Sequence, residues 1–184
     1  MPRSRPVMIT DRLILKPTTP DHWPAAWAIH HDPEVMQYIH PVTDFDAHRT
    51  RIRRDIYRVR RHGLGYWAIF PKATPLEQVG SVLLIPLEEK FRGVEVGYDF
   101  KKSAWGKGYA TEAATAVVAY GFEVLRLPTI VGVTHPDNIA SQNVLKKAGL
   151  VRKEDRVSYG DSGPYLEAHI GSWRPALPIR RSGP

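Results

Sequence analysis

The sequence predicts an α/β (α+β) domain built around an antiparallel meander, and three observations carry that prediction. Three strand-like runs follow one another, Tyr66 to Phe70, Val79 to Ile85 and Gly93 to Phe100, divided by Pro71, Pro75, Pro86 and a charged turn at Glu88 to Arg92. Right behind them Ala110, Ala113, Ala114, Val117, Gly121, Val124 and Leu125 recur at helical spacing, so a helix of about four turns begins after a glycine-containing loop. A strand from Thr129 to Thr134, a helix from Asn138 to Ala148 stopped by Gly149, and a strand pair around Val151 to Ser158 and Tyr165 to Trp173 then complete the order β, α, α, βββ, α, β, α, ββ.

The elements upstream of the meander follow from similar signals. Thr10 to Lys16 alternates Leu13 and Leu15 against polar neighbours and runs into Pro17, which reads as a strand ended by a breaker. From Pro20 the pattern is helical through Asp21, Trp23, Trp27 and His30, and Asp32-Pro33 restarts a second short helix through Met36 and Ile39. Asp44 to His62 is the most basic stretch, with Ile52, Ile56 and Val59 as one apolar stripe on an arginine-rich helix that Gly63 and Gly65 stop. Arg49, Arg51, Arg53, Arg54, Arg58, Arg60 and Arg61 then form either a solvated face or an attraction for an acidic partner. Residues 1–174 read as a single domain, and 175–184 as a loose tail rich in proline and arginine.

Composition bounds the chemistry. The 184 residues suit one packed domain, and the net charge of +7 favours anionic ligands without choosing among them. There is no cysteine, which excludes a thiol nucleophile, disulfides and cysteine-based metal sites. The opening MPRSRPVMITDR has no apolar h-region, and no stretch reaches the roughly 18 consecutive apolar residues of a membrane span, so a soluble, cytoplasmic protein without membrane association is expected. His30, His31, His40, His48 and His62 lack any metal-ligand spacing, and no metal is expected.

The stretch SAWGKGYATEA, Ser103 to Ala113, sits between a strand and a helix, which puts backbone N–H groups at the positive end of a helix dipole and makes an anion site. Gly106 and Gly108 allow close backbone approach, and Lys107 adds charge. A P-loop is absent, and the dinucleotide fingerprint fails because Thr111 stands where its third glycine belongs. Further on, HPDNIASQNVLKKAGL supplies Asn138 as an N-cap ahead of Val144, Leu145 and Ala148.

Together TDRLILKP, VEVGYDF, AWGKGYATEA and the N-x-x-S-x-x-V-L-x-K-x-G-L segment resemble the GNAT superfamily of acetyl-CoA-dependent N-acetyltransferases, and more narrowly its ribosomal-protein N-terminal (Rim-type) branch. The resemblance covers roughly residues 10 to 173. It implies the GNAT fold, a mixed, mostly antiparallel central sheet with helices on both faces that splays where the coenzyme enters. It also implies acetyl-CoA as cosubstrate and a primary amine as acceptor. The loop Trp105, Gly106, Lys107, Gly108, Tyr109 and Ala110, continued by Thr111, maps to the segment whose amides take the coenzyme pyrophosphate, although Trp105 departs from the family's Gln or Arg. Asn138 maps to the family residue that contacts the pantetheine arm or the substrate side of the thioester, with Ser141 one turn beyond it, and the backbone around Tyr98 to Phe100 maps to the donor for the oxyanion.

For the chemistry, an amine must lose a proton before it attacks, and Glu95 in VEVGYDF is the expected base, with Asp99 two positions past Gly97 as the fallback. The tyrosine that many family members use to protonate the leaving thiolate is replaced by Leu145, which leaves Ser141 or water for that task. Tyr38 to His40 and Trp67 correspond to the family's acceptor pocket. The acceptor is a protein N-terminus or a small amine, and the assembly a monomer or homodimer. A basic nucleic-acid-binding module lacks any reading motif here, whereas a coenzyme-binding protein without catalysis stays open.

Overall fold

The computed structural model describes residues 5–39, 44, 46, 47, 49, 50, 52, 53, 62–87 and 93–175. The strands and α-helices run in the order β1 (Met8–Ile9), β2 (Leu13–Pro17), α1 (Trp23–His30), β3 (Gly65–Pro71), β4 (Gly80–Pro86), β5 (Val94–Phe100), α2 (Tyr109–Glu123), β6 (Thr129–Val133), α3 (Ile139–Lys147), β7 (Val151–Arg152), β8 (Arg156–Ser158), β9 (Asp161–Gly163) and β10 (Tyr165–His169). Eight strands form one sheet in the order β1-β2-β3-β4-β5-β6-β10-β7, and β8 with β9 makes a separate hairpin. Short connections make β3, β4 and β5 antiparallel neighbours, β2 pairs antiparallel with β3 although residues 18–64 lie between them, and the crossover through α2 makes β5 and β6 the parallel pair.

The core lies between α2 and one face of this sheet. Leu13 and Leu15, Trp67 and Ile69, Val82 and Leu84, and Val96 and Phe100 occupy alternate positions of four strands and share a cluster with Ala113, Ala114, Val117, Val118 and Tyr120 of α2. Small residues let the helix sit close: a Cβ on Gly121 would lie 2.6 Å from Ile130 Cδ1. Trp67, which the resemblance put near an acceptor pocket, is instead fully enclosed here. It packs edge-on to Tyr120 at 5.6 Å, and its indole N–H donates to the Pro6 carbonyl at 2.9 Å. On the opposite face Leu87, Val131 and Tyr165 form a second, smaller cluster.

Two expected elements differ. The helix expected from Asp32 to Ile39 is a series of turns: the Asp32 carboxylate accepts the Glu34 N–H at 2.9 Å and its carbonyl accepts the Met36 N–H at 3.0 Å, as at a helix start, but the next bond, Ile39 N–H to Met36 O at 2.9 Å, is three residues long and no second helical turn follows. The single strand expected from Val151 to Ser158 is two, because β7 pairs with β10 whereas β8 turns back on β9 through Tyr159 and Gly160. Both turn residues have positive φ, 54° and 96°, which is the geometry of a two-residue hairpin of the primed type. Of the arginine-rich segment, residues 46, 47, 49, 50, 52 and 53 are helical, the Asp44 carboxylate accepts the Ala47 N–H at 2.7 Å, and Ile52 is buried. Ile56, Val59, His40, His48, Arg51, Arg54, Arg58, Arg60, Arg61, the turn 88–92 and residues 176–184 lie outside the described residues.

The β1–β2 turn is fastened to the first turn of α2. Glu112 accepts the Thr10 hydroxyl at 2.6 Å and the Arg12 N–H at 2.8 Å on one oxygen, and the Arg12 guanidinium at 2.7 Å on the other. Burial alone raises the Glu112 carboxyl, but the bonds from Thr10 and Arg12, with the Arg12 charge, outweigh it and hold the group below its ordinary value. A group depressed in the folded state adds stability above its unfolded value, about 4.3 for glutamate, and that stability is lost as pH falls through the folded value.

Two predictions follow from this packing. In a series of melting curves, Glu112→Gln lowers the midpoint at neutral pH and flattens the loss of stability that the parent chain shows on acidification below about pH 4.3. Leu145 is 1% exposed, and Gly132 faces it so closely that a Cβ there would meet Leu145 Cδ2 at 2.7 Å. Leu145→Tyr therefore overpacks the core and costs about 1–3 kcal/mol in denaturant unfolding, without adding an acid to the cleft.

Candidate active site

The cleft begins where a ladder stops. β5 and β6 pair only at Val94↔Ile130 and Glu95↔Val131, so Val96–Phe100 have no strand partner on that side. α2 follows β5 and α3 follows β6, which brings two helix N-termini to the C-terminal ends of the same two parallel strands. Backbone groups freed from a ladder and helix dipoles aimed at one crevice make a ligand site of an open α/β sheet.

The loop between β5 and α2 is shaped for an anion. Gly106 and Gly108 sit at φ 72° and 76°, which favours glycine. Trp105 closes a 3₁₀ turn by donating its N–H to the Lys102 carbonyl at 3.0 Å, and its exposed indole folds back to donate to Phe100 O at 2.9 Å. Among the described residues, the backbone N–H groups of Gly106 through Thr111 donate to no protein acceptor, and the first helical bond is Glu112 N–H to Gly108 O at 3.1 Å. Six free donors at a helix N-terminus fit a pyrophosphate. The Thr111 side chain is buried and that of Phe100 lies in the core, so both can offer a ligand only backbone groups. Tyr109 lies under Arg12, whose guanidinium carbon is 5.1 Å from its ring centroid.

β5 separates two sets of side chains. On the core face the Tyr98 hydroxyl lies 3.0 Å from both the carbonyl oxygen and the Oγ of Ser141. Asn138 caps α3, accepting the Ser141 N–H on its Oδ1 at 3.0 Å. Burial pushes the Tyr98 phenol well above its ordinary range, opposed by the hydrogen bond to Ser141, so it stays a neutral donor. Tyr98, Asn138 and Ser141 thus stand together. On the opposite face are Glu95, 8% exposed, and Asp99. The Glu95 carboxylate accepts the Tyr159 hydroxyl from the tip of the β8–β9 hairpin, and Asp99 Oδ2 lies 3.0 Å from His30 Nε2 of α1. Tyr38 stacks on His135 at 5.2 Å, tying the turns after α1 to the approach to α3.

Tyr159 and His30 carried no site role in the sequence. The Tyr-Gly pair between two short polar runs signals a hairpin turn, yet nothing local announces that its hydroxyl reaches Glu95. Among the described residues no helix is long and apolar enough to cross a membrane, and no three His, Asp or Glu side chains gather as a metal site.

Comparison with known proteins agrees with this geometry. Residues 12–151 match the family model for the acetyltransferase (GNAT) domain. An uncharacterized N-acetyltransferase of Bacillus subtilis (strain 168), YoaA, is 32% identical over 152 residues, 80% of this chain and 84% of that one. The FsC-acetyl coenzyme A-N(2)-transacetylase of Aspergillus fumigatus is 31% identical over 172 residues, 88% of this chain and 72% of that one. The ribosomal L7/L12 alpha-N-protein acetyltransferase RimL, solved with coenzyme A, shares the fold at a TM-score of 0.71 and 20% identity, covering 92% of this chain and 99% of that one. A cleft opened by the parting of β5 and β6, a loop of free amides at its rim and these matches over most of the length agree: the chain belongs to the GNAT family and is an acetyltransferase.

Proposed function

We propose that the chain is an acetyl-CoA-dependent N-acetyltransferase that passes the acetyl group directly to a primary amine, the N-terminus of a protein or peptide. The observation that carries this reading is the pair of polar centres on either side of the β5–β6 gap: buried Glu95 held by Tyr159, and the Ser141 hydroxyl held by Tyr98. In the reaction the ammonium form of the acceptor gives one proton to Glu95, the freed nitrogen lone pair bonds to the thioester carbonyl carbon, and the carbon–sulfur bond breaks as the nitrogen sheds its second proton, which restores the group that protonates the sulfur. The departing thiolate takes a proton from Ser141 or water. Tyr98 orients the Ser141 hydroxyl, and Tyr159 orients the Glu95 carboxylate. The free amides of Gly106 to Thr111 take the pyrophosphate, and the amide group of Asn138 faces the pantetheine arm.

The acceptor assignment draws on the side chains around Glu95. Asp99, the other carboxylate on that face of β5, is engaged by His30 through Oδ2 and keeps Oδ1 buried from solvent, which leaves little of it exposed to attract a polycationic amine. Two observations bear on the choice from outside: the fold is shared with a protein N-terminal acetyltransferase, whereas the fungal relative is named for an N(2)-transacetylation. The latter makes a small amine the second reading.

Release of coenzyme thiol from acetyl-CoA, assayed with a thiol reagent against N-terminal peptides, polyamines, aminoglycosides and free amino acids, tests the proposal directly. With no cysteine in the chain, the background is low. Turnover confined to peptides is the expected result; turnover confined to one small-amine class replaces the acceptor, and acetyl-CoA binding without turnover leaves a binding protein. Glu95→Gln lowers kcat by about 10²–10⁴ while acetyl-CoA affinity stays within about twofold, and an unchanged kcat removes Glu95 from the mechanism.

A further inference from the structure

The β1–β2 turn and the glycine loop are far apart in sequence, yet Arg12 joins them in two ways. Its Nε and Nη2 grip Glu112 Oε2, both at 2.7 Å, and its Nη1 donates to the Lys107 carbonyl at 2.7 Å. The turn that presents Arg12 is itself fixed. The Arg12 carbonyl accepts the Lys72 N–H at 2.8 Å from the end of β3, and Leu13 N–H donates to the Thr10 hydroxyl oxygen at 3.0 Å.

The carbonyl that Arg12 holds belongs to the peptide joining Lys107 to Gly108. A trans peptide is planar, with its C=O and N–H pointing opposite ways. Capture of Lys107 O therefore turns the Gly108 N–H away from Arg12, into the set of free amides that runs from Gly106 to Thr111. Gly108 leaves room for this, since a Cβ there would stand 3.3 Å from Arg12 Nη2. Glu112 offsets the Arg12 charge, so the guanidinium works through its geometry: one edge on the helix, one corner on the loop.

We propose that Arg12 and Glu112 are positioning residues of the acetyl-CoA site, a clamp that presets the orientation of the Lys107–Gly108 peptide so that the loop amides meet the pyrophosphate without rearrangement. The proposal rests on the reading of this loop as the pyrophosphate site. A preset loop loses less freedom on binding, so the clamp is worth affinity for the coenzyme and little in the chemical step.

Four variants separate the possibilities, with acetyl-CoA binding measured by calorimetry, KM and kcat with the best acceptor, and melting curves to set a temperature at which each variant is folded. Arg12→Ala and Glu112→Gln each weaken acetyl-CoA binding about tenfold or more, with kcat at saturating acetyl-CoA within about twofold of the parent. Arg12→Lys keeps the charge and loses the fork, and it falls nearly as far as Arg12→Ala. If Arg12 instead touched the coenzyme as a simple positive charge, Arg12→Lys would bind like the parent and Glu112→Gln would bind more tightly; either result overturns the clamp. Gly106 controls for the underlying reading: it sits at φ 72°, a backbone conformation that a β-branched residue resists, so valine there strains the loop and shifts its amides. A Gly106→Val chain that binds acetyl-CoA like the parent sinks the loop reading itself. Loss of binding in Gly106→Val, with parent-like binding in the Arg12 and Glu112 variants, sinks the clamp alone.

Discussion

The early end of the β5–β6 ladder is the constraint on which the rest of the structure depends. Within a sheet, a strand's polar backbone is satisfied by its two neighbours, and on its β6 side β5 has that satisfaction only through Glu95. Beyond it the backbone is available to something that is not a strand. The connection through α2 is what makes the two strands parallel, and parallel strands followed by helices bring both helix N-termini to that same end. The gap, the loop amides and the cap of α3 are thus consequences of one topological choice. The alanines of α2 serve it as well, because a helix of larger residues could not lie so close to the sheet.

Much of this was legible in the sequence because it is local. Gly106 and Gly108 are needed where φ is positive, and the strand before and helix after them have periodicities that need no partner to be read. The same holds for Asn138, whose capping bond spans only three residues. What was not legible depends on which face of an element is covered. Trp67 lies in a strand apolar at nearly every position, GYWAIFP, so the alternation that would aim its ring is absent from the sequence and is decided by the packing of α2. Tyr159 reaches Glu95 across 64 residues, and Arg12 reaches Glu112 across 100, and neither contact has a local signature. The turns after α1 differ for another reason: Asp32 does open a helical turn, with its carbonyl accepting the Met36 N–H, but the chain tightens to the three-residue bond between Ile39 and Met36 and no second turn follows.

Position along α3 matters in the same way. Leu145 and Ser141 are one helical turn apart, and both stand near the sheet, but Leu145 is packed against Gly132 whereas Ser141 meets the hydroxyl of Tyr98. The two contacts differ in what the facing strand offers, a glycine of β6 in one case and a tyrosine of β5 in the other. The hydroxyl that the proposed reaction uses is therefore in the turn nearest the cap, where the strand beside it has left its ladder.

The two faces of β5 bear on why the proposed chemistry falls at the gap. Alternation puts Val94, Val96, Tyr98 and Phe100 on the side of α2 and α3, and Glu95, Gly97 and Asp99 on the side of α1 and the β8–β9 hairpin. An unbroken sheet would keep a ligand held by the loop amides on the first side away from a base on the second. The two sides can meet only where the sheet is open, and it opens directly after the Glu95↔Val131 pair. In the proposed reaction the thioester lies in that opening, with Glu95 at its edge on one side and Ser141 on the other. The acceptor and the coenzyme then approach from opposite faces, which suits direct transfer between them and needs no covalent carrier on a chain that has no cysteine.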